Sequence, residues 1–148
     1  MARYTAAVEG VASGTSAKTL LQIVAGAQRC GVYGIRISCK GTSSTATPVR
    51  FRLVRQTTAG TSGGTASIAS VDSSGVTATA TANITFSSTE PTSSDLLFTQ
   101  EIHPQTGMAE YIPLGDEIVI PASGRLGLTV TAAATVDVTA QLYWREGQ

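Results

Sequence analysis

Apolar and polar residues alternate most cleanly over 125–145. Leu126, Leu128 and Val130 alternate with Gly127 and Thr129. After a TAAAT link, Val136, Val138, Ala140, Leu142 and Trp144 alternate with Asp137, Thr139, Gln141, Tyr143 and Arg145. Successive side chains of a strand leave on opposite faces, so a period of two gathers each apolar set on one side of a sheet. The short link predicts an antiparallel hairpin at the centre of an all-β domain. Alternation also predicts strands over 31–40, 48–56 and 76–86, and short apolar runs between turn signals predict strands over 18–25, 96–102, 108–112 and 117–120. Within 31–40, Tyr33, Ile35, Ile37 and Cys39 share one predicted face. Within 48–56, Val49, Phe51 and Leu53 point inward, and Arg50 and Arg52 point out.

Between these segments lie turn-forming stretches such as GTSSTAT (41–47) and the mostly loop region 57–74. Eight or nine short antiparallel strands spaced in this way predict a β-sandwich, and long crossovers between them predict a jelly roll. Periodicity leaves the strand order open. Residues 1–17 are small, polar and weakly patterned, and read as an N-terminal arm or an edge strand ahead of a single domain over 18–148.

Composition turns the expected monomer into an associating subunit. Charged residues are 14% of the 148 and the formal net charge is zero, against about 25% charged in typical soluble domains. A surface of that kind tends to associate. Aromatics are 5%, so many core-facing positions are small and each buries little apolar area. Contacts between copies supply the missing burial. The neutral charge balance gives no reason to expect a nucleic-acid partner or an acidic membrane surface. The chain begins without a charged, then apolar, leader pattern, and no apolar run approaches a membrane span, so neither signal-peptide secretion nor membrane insertion is expected. Cys30 and Cys39 bracket a predicted strand, which at about 3.3 Å per residue separates them by nearly 30 Å. A disulfide needs Cα atoms within about 7 Å, so two free thiols are expected.

Candidate chemistry is sparse. The lone His103 has no Cys, Asp or Glu at ligand spacing, so neither a metal site nor a cofactor is expected. Glu101, Glu110, Asp116 and Glu117 are the carboxylates available for acid–base work, and Glu110 and the Asp116–Glu117 pair flank a predicted turn where they are solvated. No catalytic motif is present, and an enzyme is not expected. Arg50, Arg52 and Arg55 lie on one predicted strand. With Arg36 and Lys40 they form either a basic strip for an acidic partner or the charges that guard a sheet edge. Tyr143 and Arg145 fall opposite the apolar face of their strand and are interface-anchor types, while Trp144 is in register with the core. Arg3 and Tyr4 are the anchor types of the arm. Asn83-Ile84-Thr85 matches a glycosylation sequon, read as chance.

The segments AKTLLQIVAGAQ (17–28), PVRFRLVRQTTAGT (48–61), EIHPQTG (101–107), YIPLG (111–115) and PASGRLGLTVTAAA (121–134) resemble the head decoration, or cement, proteins of tailed bacteriophages. The similarity runs in order over most of the chain and is weakest over 62–94. Its motifs are structural strand and turn residues, so no functional residue carries over by position. The resemblance implies a β-sandwich subunit, a homotrimer, made in the cytoplasm of the host bacterium and seated on the capsid surface of the virion. There it would bridge neighbouring copies of the major capsid protein, with the 1–17 arm as a clasp. The alternative expectation is a tail-tip or fibre-head module that binds a host receptor.

Overall fold

Where alternation is strongest the chain forms strands as the pattern dictates. A computed structural model describes residues 1–41, 47–73 and 75–147. Residues 42–46 of the turn expected over 41–47 lie outside the described residues. The described residues form twelve strands and no helix: β1 (Ala2–Ala12), β2 (Lys18–Val24), β3 (Cys30–Lys40), β4 (Val49–Gln56), β5 (Ser62–Thr65), β6 (Ala69–Ser70), β7 (Thr81–Phe86), β8 (Ser93–Ile102), β9 (Gly107–Tyr111), β10 (Ile118–Ile120), β11 (Arg125–Thr131) and β12 (Asp137–Glu146). Every pairing is antiparallel. A first sheet runs in the order β10, β3, β12, β1, β6, with β9 also paired to β3. A second runs β5, β7, β2, β11, β4, β8.

The apolar faces of both sheets meet in one core, which makes the fold a β-sandwich. Val8, Ile35, Val138, Leu142 and Trp144 of the first sheet and Leu21, Ile23, Phe51, Leu53, Leu126 and Leu128 of the second belong to the same buried cluster. The Tyr4 and Trp144 rings lie 6.1 Å apart within it, a separation at which aromatic pairs add about 0.5–1.5 kcal/mol beyond their burial.

The second sheet also buries polar groups on its outer side. Gln22 Nε2 donates to Gln56 Oε1 at 2.8 Å, Gln56 Nε2 to Thr19 Oγ1 at 3.1 Å, and Asn83 Nδ2 to Gln22 Oε1 at 3.1 Å. Two loops close over this ladder. Thr57 N donates to Thr92 O, Thr61 N to Thr89 O, and Thr19 N to the Glu90 carboxylate at 2.8 Å. The nitrogen of the Asn83 sequon is thus already engaged inside the fold.

Several expectations are corrected. The expected hairpin over 125–145 does not form. β11 pairs with β2 and β4, whereas β12 pairs with β1 and β3 in the other sheet. Each strand is central in its own sheet, and the link between them, with Ala133 and Thr135 exposed, carries the chain from one sheet to the other. Alternation states which side of a strand is apolar; it does not state which strands lie beside it in the plane of the sheet. Of the two readings of 1–17, arm or edge strand, the strand is the one present: β1 runs from residue 2 to 12 against β12, with a register shift between Val8 and Val11 and only the two-residue β6 beyond it. Tyr4, Ala6 and Val8 face the core, but four alanines spread over both faces of the segment give little hydrophobic contrast in the sequence.

Among the described residues the strands number twelve instead of eight or nine, because β5 and β6 form in the stretch read as mostly loop and β1 forms within 1–17. The strand expected over 76–86 begins only at Thr81. Upstream of it the Glu146 carboxylate takes the backbone N–H groups of Thr79 and Ala80, at 2.8 and 3.1 Å. Tyr33 does not share the inward face of Ile35 and Ile37. The β3–β12 register slips between Gly34↔Tyr143 and Val32↔Trp144, so Tyr33 is the extra residue of a bulge.

Candidate functional site

That bulge builds an aromatic surface on the outer side of the first sheet. Tyr143 on β12 and Tyr111 on β9 are both cross-strand partners of Gly34 on β3. Because Gly34 has no side chain, the two rings close over it, and a Cβ there would lie 3.1 Å from Tyr111 Cε1 and from Tyr143 Cδ2. Tyr143 is 6.2 Å from Tyr111 and 6.1 Å from Tyr33, centroid to centroid. Two guanidinium groups complete the layer. Arg36 lies 5.7 Å from the Tyr111 ring and 5.8 Å from Tyr143, and Arg145 lies 4.8 Å from Tyr33. All fall within the reach of cation–π attraction.

The two arginines differ in charge state of their surroundings. Arg145 Nη1 donates to Glu117 Oε1 at 2.8 Å, with side chains only 18% and 5% exposed. The other Glu117 oxygen accepts from Gly115 N at 2.7 Å. This pair is internally neutral, and its shielding from water makes it a rigid positioning element rather than a source of net stability. Arg36 is exposed, and among the described residues no carboxylate pairs with it. Burial pushes the Tyr33 hydroxyl above its ordinary range, partly offset by the positive charges of Arg3 and Arg145.

Of the residues singled out from sequence, the structure brings together Arg3, Tyr143 and Arg145. Arg3 is the cross-strand partner of Arg145, and Asp72 neutralises it through Arg3 N at 2.9 Å and Nε at 2.7 Å. Those hydrogen bonds hold the Asp72 carboxyl below the usual range. Tyr4 is not part of the surface. It is 2% exposed, and its hydroxyl donates to Val76 O at 3.1 Å. The parity of its position on β1 sends it inward.

The basic strip dissolves as well. Arg50 and Arg52 lie on the outer side of the second sheet, where Arg50 pairs with Glu101 at 2.8 Å. Arg55 follows a register shift in the β4–β8 pairing and reaches across to Val119 O at 2.9 Å. Arg36 and Lys40 belong to β3, in the other sheet. Tyr33 and Glu117 were missed as surface members, and Tyr111 was legible only as an exposed aromatic, not as a neighbour of Tyr143. The signal for their convergence was weak, since the three sit on separate segments and only a bulge turns Tyr33 outward.

The remaining candidates have structural settings. His103 caps its own turn, with Nδ1 accepting from Gln105 N at 3.2 Å. Glu101 and Glu117 are ion-paired to arginines on different sheets. Among the described residues no group of three or more His, Cys, Asp or Glu is placed to hold a metal ion. Both cysteines are free, and burial pushes the Cys30 thiol up to about 12 and Cys39 up to about 11. Compared with protein-family models, curated proteins and solved structures, the chain finds no match in any of the three.

Proposed function

We propose that the protein is a structural interaction subunit that associates with copies of itself and decorates an assembled phage head, bridging its coat subunits. The observation that carries this reading is the outer surface of Tyr33, Tyr111, Tyr143, Arg36 and Arg145, held on paired strands. Tyrosine and arginine are the residue types that dominate binding energy at protein interfaces. A ring has few rotatable bonds, so fixing it on contact loses little entropy. The low charge content and the resemblance to head decoration proteins support the same reading.

The strand pairing supports the jelly-roll form of the sandwich. Partners nest, β1 with β12, β2 with β11, β3 with β9 and β10, and β4 with β8. That nesting is what results when one long antiparallel ribbon, with 57–92 at its tip, is rolled into two sheets. On this reading the mechanism is mass action. A subunit that binds only the assembled shell stabilises it by RT ln(1 + [L]/Kd) per site, about 2.7 kcal/mol when free subunit is 100 Kd. A trimer that engages several coat subunits at once adds avidity.

The test is multi-angle light scattering of the purified chain together with co-sedimentation on phage heads lacking it. The expected result is an oligomer that sediments with heads, and a Tyr143→Ala variant that binds heads at least ten-fold more weakly. A monomer that stays in the supernatant overturns the reading. The second reading, a tail-tip or fibre-head receptor module, draws on Tyr111, which is half exposed. A glycan-array signal removed by Tyr111→Ala would favour it.

A further inference from the structure

Arg36 stands at the rim of a cleft on the same face. The cleft holds about 380 Å³ and is walled by Arg36, Ser38, Gly107, Ala109, Thr139 and Gln141, contributed by β3, β9 and β12. Its openness has a local cause. Ser38 and Gly107 are cross-strand partners, as are Arg36 and Ala109, so at these two positions β9 presents a hydrogen and a methyl group, with Met108 between them. A Cβ on Gly107 would approach Ile37 O to 2.8 Å and Ser38 Cβ to 2.9 Å, so the position resists filling. The far wall is held in place: Gln141 Nε2 donates to Thr5 Oγ1 at 2.9 Å, and Thr139 Oγ1 accepts from Gly10 N at 3.2 Å.

The guanidinium is held as well. Two tyrosine rings flank Arg36, so part of the rotamer entropy usually lost on forming a fork is already lost in the free protein. Its neighbour Arg145 is neutralised by Glu117, and Arg3 by Asp72. Arg36 has no such partner among the described residues. A pre-positioned, uncompensated arginine beside a cleft of small side chains matches a carboxylate flanked by apolar groups. The carboxylate takes the two parallel N–H···O bonds that a guanidinium offers.

We infer that Arg36 and the adjoining cleft form a receptor for an acidic side chain on an extended segment of a partner protein, the segment lying across β3, β9 and β12. This deepens the interaction-subunit reading and rests on it, by naming the chemistry of the partner.

The test uses the full chain and two blocked tripeptides, acetyl-Leu-Glu-Leu-amide and acetyl-Leu-Gln-Leu-amide, followed by amide NMR titration. The Glu peptide is expected to shift the amides of Arg36, Ser38, Ala109 and Gln141, and the Gln peptide to bind at least ten-fold more weakly. Arg36→Gln should abolish the difference between the peptides. Arg36→Lys should weaken Glu-peptide binding several-fold, because an ammonium keeps the charge and loses the fork. Arg36 is exposed, so both variants should retain the wild-type amide spectrum away from the cleft.

Shifts spread over the whole surface, or equal binding of the two peptides, overturn the inference. So do concentration-dependent shifts of the same amides without peptide, which would make the occupant a second copy of the chain. Head co-sedimentation separates this from the broader reading. If Arg36→Gln binds heads like wild type and wild type ignores the Glu peptide, the receptor is refuted and the decoration reading stands. If wild type takes up the Glu peptide at the cleft but not heads, the receptor stands and the decoration reading falls.

Discussion

Gly127→Ala is the most decisive perturbation of the fold. Gly127 lies on β11 between Leu126 and Leu128, which both enter the core, so its own face is the outer one covered by the amide ladder. A Cβ there would overlap the terminal amide of Gln56. A glutamine elsewhere would swing aside, but this one is 5% exposed and holds Gln22 on one side and Thr19 on the other. Displacing it breaks two hydrogen bonds among buried groups, at about 1–3 kcal/mol each. Replacing glycine by alanine also lowers the entropy of the unfolded chain, worth about 0.4–1 kcal/mol in the opposite direction. The net expectation is a loss of about 1–6 kcal/mol, a large part of a typical stability of about 5–15 kcal/mol.

Urea unfolding followed by tryptophan fluorescence measures it, because Trp144 is fully buried. The control is the double variant Gln56→Ala with Gly127→Ala. Once the amide is gone the added methyl group has room, so the second substitution should cost far less than it does alone, a coupling of at least about 1 kcal/mol. Gly127→Ala within about 0.5 kcal/mol of wild type, or strict additivity in the double variant, would refute the reasoning.

Two further outcomes follow from the other buried groups. Burial works against ionisation of Glu146, but hydrogen bonds from Thr79 N and Oγ1, Ala80 N and Trp144 Nε1 outweigh it and hold its carboxyl below the usual range. A group whose folded pKa is depressed contributes stability above its unfolded value, about 4.3, and loses it as pH falls through the folded value. Denaturant midpoints of wild type should therefore drop below about pH 5, and Glu146→Gln should start lower at pH 7 and show a shallower acid limb; an unchanged acid limb would show that other carboxylates govern it. Cys30 and Cys39 should react with a disulfide reagent at pH 8 only after denaturant is added, since a thiolate is the attacking species and both thiols are held at about 12 and about 11. Rapid labelling of the folded protein would contradict that burial.

Strand existence and facing were legible in the sequence wherever large apolar residues recur at every second position. β2, β3, β4, β11 and β12 lie where the pattern predicts, and Trp144 and Tyr143 take opposite faces as their parity requires. The pattern grew faint where alanine and threonine replace larger groups, which is why the segment of β1 read equally as an arm or an edge strand. The all-β class, the short strands and the inward set of each strong strand therefore follow from side-chain period alone, a local property. Which strand lies beside which, and how Tyr33, Tyr111, Tyr143, Arg36 and Arg145 converge, came only with the folded chain. Those contacts join residues far apart in sequence, and a single slipped residue at Tyr33 turns a side chain from one face to the other. No local period carries that information, because the energy that selects the register lies in the core shared by both sheets.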